Sequence, residues 1–517
     1  MKVLFIGKDQ VYWRSLKKRF QKDFAEEKFE FTDFWPGDGK LIHQSLFEIV
    51  KTEPKAIIVD FSIETKSLLS LTRTLFRSFN YPIGVVGVWD LLAPKHLIYE
   101  GNMSGAKVNH FKGSEVGEVV AHTMFLAKEG NSPLRKFAAA RAMEELWQLT
   151  VFHRMKIGFM TKSYLHVEHD VPLEEIDPIL ILHHFGDEFP ETKFNFLRNL
   201  NKNFYYHFRF SSDIQIVGPK FPEPPKDEGP NQKARRLREE KEELEYFNRR
   251  ISKFLEGQLA RGSQFSKRTR VLVFDQNLLL SQLSPKPLDQ YPFSIRLYRF
   301  WKKGVGMVNR VWPGVIVLCW SKETGAQDLI EMVSEIKNIE KYNPFIIVFE
   351  APLASSEMKD KVGYQNLLCE KNPFDVDTFI KLCELYQNKE GREKTHDQSI
   401  SFHDREKRLY FDKNNKESQL SLKVDISVRE ISESWFKFSS PLVLPFYSIF
   451  ELEQPIRMFL TVVEQIEEPD WYKENNYQYK AIIHGLSETD RAQLRRLVNS
   501  SIKMEEDKKK QKSDKRE

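Results

Sequence analysis

The sequence predicts a multi-domain chain of α/β and β modules: two parallel-sheet α/β domains, each followed by a small β-barrel. Three observations carry this. Strand-like and helix-like segments alternate over 1–130 and again over 269–391, the pattern of a parallel sheet covered on both faces. Short, turn-punctuated, alternating segments follow each block, over 131–219 and 392–503. The spacing also repeats, since Lys112 lies as far beyond Asp60 as Lys371 lies beyond Cys319. The expected architecture is a tandem duplication of a sheet-and-barrel pair.

The chain has 517 residues, which at roughly 150 residues per domain gives about three or four domains. Hydrophobic residues make up 41% and charged residues 30%, an ordinary balance for a globular chain. Basic residues number 79 and acidic residues 74, a net charge of +5. That lacks the strong basic excess of a nucleic-acid binder. Cys319, Cys369 and Cys383 have no metal-ligand spacing and read as reduced thiols. The apolar opening ends at Lys8, too soon for a secretory signal. No apolar run approaches the roughly 20 residues that span a bilayer. The expected location is cytoplasmic.

In the first module, 3–6 is a short apolar run, 12–24 has helical spacing, 29–34 alternates and 41–50 is helical. Residues 56–60 run apolar as far as Asp60 and lack alternation, as a strand buried on both faces does. A helix at 68–79, a strand at 83–88, a helix at 91–100, a strand at 106–111 and a helix at 117–128 complete it. Residues 137–149 then read as a helix, followed by strands at 150–160, 164–167, 179–184 and 205–217.

Residues 220–268 form a connector. Pro222, Pro224 and Pro225 give it an extended start. A charged helix follows, with Leu237, Leu244 and Ile251 seven apart and Phe247 and Phe254 also seven apart. Two readings stay open: an amphipathic helix lying on its own barrel, or a short seam through 232–260 that makes a homodimer. The second α/β module has strands at 271–274, 294–298, 314–319, 344–349 and 365–369, and a closing helix at 374–388. The second β-rich block has strands at 420–428, 435–438, 448–453 and 477–484, and a helix at 488–498. Residues 504–517 are a charged, solvated tail.

Ligands of an open parallel sheet bind at the C-terminal ends of its strands. Asp9 follows the first strand, Asp60 ends the third and Lys112 ends the fifth. Two carboxylates at one edge suit Mg²⁺, and a carboxylate there can accept a phosphoryl group. With Gly105 and Ala106 shortly before the lysine, this order resembles the flavodoxin-like receiver domain of bacterial response regulators. The resemblance implies Asp60 as phosphoacceptor, Asp9 and Asp60 as Mg²⁺ ligands, and Lys112 as the phosphate contact. The chain departs from that pattern at Lys8, where a second acid is usual. It departs again at Trp89 and Asp90, where Ser or Thr is usual, and at Gly113, where Pro is usual. A structural charge cluster is the other reading of the same three residues. In the second module Asp275 remains, but Cys319 stands at the acceptor position and Glu350 follows Phe349 where the hydroxyl is expected. That module resembles a pseudo-receiver, a docking surface without phosphorylation chemistry.

Arg405 and Arg408 precede the string Glu430, Ile431, Ser432, Glu433, Ser434, Trp435. This arrangement resembles a PilZ-type domain, the bacterial cyclic di-GMP receptor. A diphosphorylated purine ligand suits guanidinium groups, which bind phosphate bidentately and stack on bases. The resemblance implies Arg405, Arg408, Glu430 and Ser432 as ligand contacts, with Trp435 replacing the usual glycine. Residues 159–167 align with 430–438 without a gap, matching Thr161 to Ser432 and Ser163 to Ser434. His166, His169, Asp170, His183 and His184 invite a metal reading. However, 166 and 169 fall on opposite strand faces, as do 183 and 184, which favours surface histidines.

The chain therefore reads as a non-enzymatic bacterial signalling protein with protein partners. Cyclic di-GMP is the expected ligand of its C-terminal barrel, and the receiver-like modules are docking surfaces. Two alternatives stand beside this: a ligand-free scaffold with every site inactive, and a regulator phosphorylated at Asp60.

Overall fold

The computed structural model describes residues 1–36, 40–79, 81, 83–128, 140–141, 147–160, 164–169, 171, 173, 179–182, 192–204, 207–261, 269–301, 304–311, 313–320, 325–339, 342–388, 409–410, 419–466 and 477–499. The first module runs β1 (Lys2–Ile6), α1 (Gln10–Asp23), β2 (Glu30–Phe34), α2 (Leu46–Lys51), β3 (Ala56–Asp60), α3 (Thr65–Ser78), β4 (Gly84–Trp89), α4 (Lys95–Ser104), β5 (Val108–Phe111) and α5 (Val116–Ala127). Its strands are parallel, in the order β2-β1-β3-β4-β5. Every residue of β3 and β4 is buried, because helices cover both faces. Helix α1 turns Trp13, Leu16 and Phe20 inward, three and seven residues apart on one face. Trp13 stacks on Phe5, with ring centroids 5.0 Å apart. Burying each such side chain stabilises the fold by about 1.5–3 kcal/mol. The strand order reverses between β1 and β3, which opens a crevice at their C-terminal ends.

The β-rich part begins with β6 (Ala140–Arg141), β7 (Trp147–Met160), β8 (Tyr164–His169), β9 (Ile179–Leu182), β10 (Thr192–Phe204) and β11 (His207–Pro219), and leads to α6 (Pro230–Arg261). The second α/β module runs β12 (Arg270–Asp275), α7 (Leu279–Leu283), β13 (Ser294–Tyr298), α8 (Gly304–Val311), β14 (Val315–Cys319), α9 (Ala326–Lys337), β15 (Phe345–Phe349), α10 (Ser355–Val362), β16 (Leu367–Cys369) and α11 (Val376–Asn388). Its parallel order, β13-β12-β14-β15-β16, is that of the first module. The chain then gives β17 (Leu409–Tyr410), β18 (Gln419–Ile431), β19 (Trp435–Ser440), β20 (Ile449–Leu452), β21 (Met458–Ile466) and β22 (Tyr477–His484), and a helix over 488–499.

The sequence predicts two separate barrels, but the strands interlock. β7 and β18 pair antiparallel from Trp147↔Val428 to Lys156↔Gln419. One closed six-stranded barrel runs β7-β20-β21-β22-β19-β18 and back to β7. A second circuit, β7-β8-β11-β10-β9-β18, returns to the same two strands. Among the described residues, neither β-rich segment closes a ring alone. β7 and β18 have 14 and 13 residues, more than twice the usual strand length, so each passes from one ring into the other. One apolar cluster follows, holding Met155, Leu165 and Ile214 together with Leu420, Leu460 and Leu494.

The helix expected over 137–149 is not found where the chain is described. Ala140 and Arg141 pair with Ile431 and Glu430, and Trp147 pairs with Val428. Sheet pairing overrides a modest local helix preference here. Strands β10 and β21 were not anticipated. Within α6, Phe247 and Ile251 enter the barrel core. Leu244 packs over Gly218, where a Cβ would lie 2.5 Å from Leu244 Cδ1. The reading of α6 as a helix lying on the barrel holds for that half. No helix among the described residues is long and apolar enough to cross a membrane.

Candidate functional site

The structure brings Asp9, Asp60 and Lys112 together at the crevice. Asp9 caps α1, its Oδ1 accepting the Tyr12 N–H at 2.9 Å. Asp60 is fully buried. Its Oδ1 accepts from the Ser62 hydroxyl at 2.5 Å and the Ser62 N–H at 3.2 Å. The Lys112 ammonium lies 3.1 Å from Asp60 Oδ2 and 3.8 Å from Asp9 Oδ2. The free edges of both carboxylates thus face one cation. The Tyr12 phenol is pushed above its usual range by burial, with Asp60 and Asp9 adding to it. Lys8 sits over the Trp35 ring, 4.7 Å from its centroid.

Where the receiver pattern calls for a hydroxyl, the structure places an aromatic stack. Trp89 lies on Phe61, centroids 4.3 Å apart and planes 16° apart. Its indole N–H donates to Asn109 Oδ1 at 2.8 Å. Gly101 leaves room for the ring, since a Cβ there would lie 2.5 Å from Trp89 Cζ2. Asp90 is exposed.

This stack leads out of the module. His484 Nδ1 lies 3.1 Å from both the Asn109 N–H and the Asn109 carbonyl. His484 Nε2 meets Thr461 Oγ1 at 2.8 Å, and that hydroxyl donates to the Lys107 carbonyl at 2.8 Å. Nearby, His110 Nε2 and His122 Nδ1 are 3.1 Å apart. Arg491 binds both carboxylate oxygens of Glu118 on α5. On the α4 side, Tyr99 meets Phe459 edge-on, and Lys95 pairs with Glu451 at 3.1 Å. The α4–β5–α5 face of the first module is therefore seated on the barrel. Sequence reasoning missed Asn109, His484 and Arg491, because nothing in one sequence marks contacts between distant segments.

The second module has no matching trio. Asp275 is buried, and its Oδ2 accepts the Leu280 N–H at 2.8 Å. Burial raises its pKa, and backbone donors at Leu280, Leu279, Leu278 and Asn277 oppose the rise. The Cys319 thiol is held well above its usual range by burial first, then by Asp275 and Glu350. Such a thiol is a poor nucleophile. Lys371 is exposed.

In the C-terminal barrel, Ser432 is buried and shapes its own turn. Its hydroxyl accepts from Trp435 N–H at 2.9 Å and Ser434 N–H at 3.2 Å. Glu430 pairs with Lys437 at 3.5 Å. Arg405 and Arg408 lie outside the described residues, as do Thr161, Ser163, Asp170, His183 and His184. His166 meets Asp213 at 2.7 Å, and His169 bonds the Val171 carbonyl and the Ser212 hydroxyl. Both histidines are buried, contrary to the surface positions expected, and their rings are held by these hydrogen bonds. No group of three or more His, Cys, Asp or Glu among the described residues could hold a metal ion.

No protein-family model matches the chain, and no curated protein matches it significantly.

Proposed function

We propose that the chain is a non-enzymatic regulatory protein whose first α/β module is the input and whose interlocked barrels are the output. The line of contacts running Asp60, Phe61, Trp89, Asn109, His484 carries this reading, because it joins the crevice to β22. Asp60 Oδ2 is buried without a well-aligned hydrogen bond and faces the Asp9 carboxylate across the Lys112 ammonium. That pair suits Mg²⁺, which binds through one or two carboxylates and keeps several waters. Asp9 and Asp60 would hold it, and it would supply positive charge for an incoming phosphoryl group. Asp60 would then accept phosphate from an acyl phosphate. A carboxylate oxygen bonds to phosphorus, the bond to the acyl oxygen breaks, and the carboxylate product leaves. New anionic charge at Asp60 draws on Lys112, whose backbone N–H donates to the Trp89 carbonyl at 2.6 Å. Trp89 is thus the first reporter of the event.

The test is tryptophan fluorescence with beryllofluoride and Mg²⁺. The expected change is lost in Asp60→Asn and reduced in Trp89→Phe. No change in the wild-type protein discards phosphoryl input and leaves Asp9, Asp60 and Lys112 a structural cluster.

A second reading places cyclic di-GMP on the C-terminal barrel. Its support is Trp435, half-buried, with the Lys480 ammonium 5.5 Å from its ring centroid, an aromatic face bearing a cation. Arg405 and Arg408 would add guanidinium groups. Calorimetry with cyclic di-GMP should show heat that disappears in Arg405→Ala/Arg408→Ala; no heat with wild type removes the reading.

A further inference from the structure

Helix α6 extends past the barrel it rests on. Phe247 and Ile251 enter the core, whereas residues 230–243 are almost all exposed. Leu237, on the same stripe as Leu244 and Ile251, is 49% exposed. At about 1.5 Å per residue, this overhang is roughly 20 Å long.

Its charges are sorted into blocks. Lys233, Arg235, Arg236 and Arg238 come first; an acidic block over 239–245, interrupted only by Lys241 and Leu244, follows. Within one helix this order is unfavourable. Cations crowd the positive end of the helix dipole. The pairs Arg235–Glu239 and Arg238–Glu242 run Arg-to-Glu, the weaker orientation. An isolated helix would gain by the reverse order. A partner helix lying antiparallel reverses the preference, because each basic block then faces an acidic block.

We propose that the α6 overhang is a dimerisation helix that pairs antiparallel with α6 of a second copy of this chain. Centred between Glu240 and Lys241, the pairing sets Leu237 level with Leu244 of the other copy. Arg236 and Arg238 stand level with Glu245 and Glu243, and Arg235 with Tyr246, itself 53% exposed. A parallel pair would set like charges against each other. This inference is independent of the input proposed for Asp60.

Sedimentation of the full chain tests it. The wild-type protein should be a dimer that weakens as salt is raised. Arg236→Glu/Arg238→Glu and Glu243→Arg/Glu245→Arg should each be monomeric, because each sets like charges level with one another across the pair. Their equimolar mixture should form a heterodimer, because each reversed charge then stands level with its opposite. Circular dichroism checks that the variants stay folded. A monomeric wild type, or a mixture that stays monomeric, overturns the proposal; so does a wild-type dimer indifferent to both substitutions.

Discussion

His484 of β22 holds the backbone of Asn109 in β5 through a single ring nitrogen, 3.1 Å from both the N–H and the carbonyl. This contact joins residues from opposite ends of the chain and fixes the edge of the first sheet to the barrel. Burial keeps the His484 ring neutral, which gives the interface a pH dependence.

His110, His122 and His484 are all buried here. Burial holds His122 down at about 4, helped by the Arg491 charge, and His484 at about 3, helped by His122. His110 is also well below its usual value, from burial first and then His122, His484 and Arg491. The unfolded chain binds protons near 6.5 while the folded chain does not. Stability is therefore full above the unfolded value and lost as pH falls toward the folded ones. The loss should reach about 2 kcal/mol per buried histidine by about pH 5. Urea midpoints measured across that range should fall with pH, and less steeply in His484→Asn. A flat profile would refute the neutral cluster.

Arg491→Ala should release the helix over 488–499 from α5. Glu118 would lose the guanidinium that binds both its oxygens. Breaking such a pair costs about 3 kcal/mol. Chemical denaturation should show that loss, and hydrogen exchange should place it in α5. Unchanged exchange there would show the pair to be incidental.

Gly218→Ala tests the seat of α6. Gly218 has φ +143, a conformation that side chains disfavour, and the new methyl would press on Leu244. A loss of about 1–3 kcal/mol is expected. Limited proteolysis should show α6 released from β11. No change would mean that the helix rests on Phe247 and Ile251 alone.

The interlocked strands predict that the halves depend on each other. Residues 1–268 made alone lack β18, and residues 269–517 made alone lack β7. Each half should expose the apolar residues that the common core buries, and the two co-expressed should purify together. Two separately soluble, non-associating halves would contradict the shared wall.

Much of this fold was legible locally. Both five-stranded sheets follow from short apolar runs such as 56–59 and 345–349 alternating with helix-spaced segments, the pattern of a doubly covered parallel sheet. The Asp9, Asp60 and Lys112 cluster followed from strand ends sharing one edge. The barrels were less legible, because pairing between β7 and β18 spans nearly 300 residues and leaves no local mark. β21 was missed because its apolar opening lacks alternation, which does not separate strand from helix. β10 does alternate, at Lys193, Phe194, Asn195 and Phe196, and that signal was there to be used. The helix expected over 137–149 failed because propensity is a weak prior against sheet pairing. Trp89 stands where a hydroxyl is expected, and only the fold shows that its ring lies on Phe61 and donates to Asn109.

If the crevice drives the barrel, the signal passes through Trp89, Asn109 and His484. Hydrogen exchange at the Asn109 and His484 amides, with and without beryllofluoride and Mg²⁺, tests it most directly. Altered protection is expected in both β5 and β22 of the wild-type protein, and only at the crevice in Asn109→Ala. Changes at Asp60 and Lys112 that never reach β22 in the wild type would contradict it.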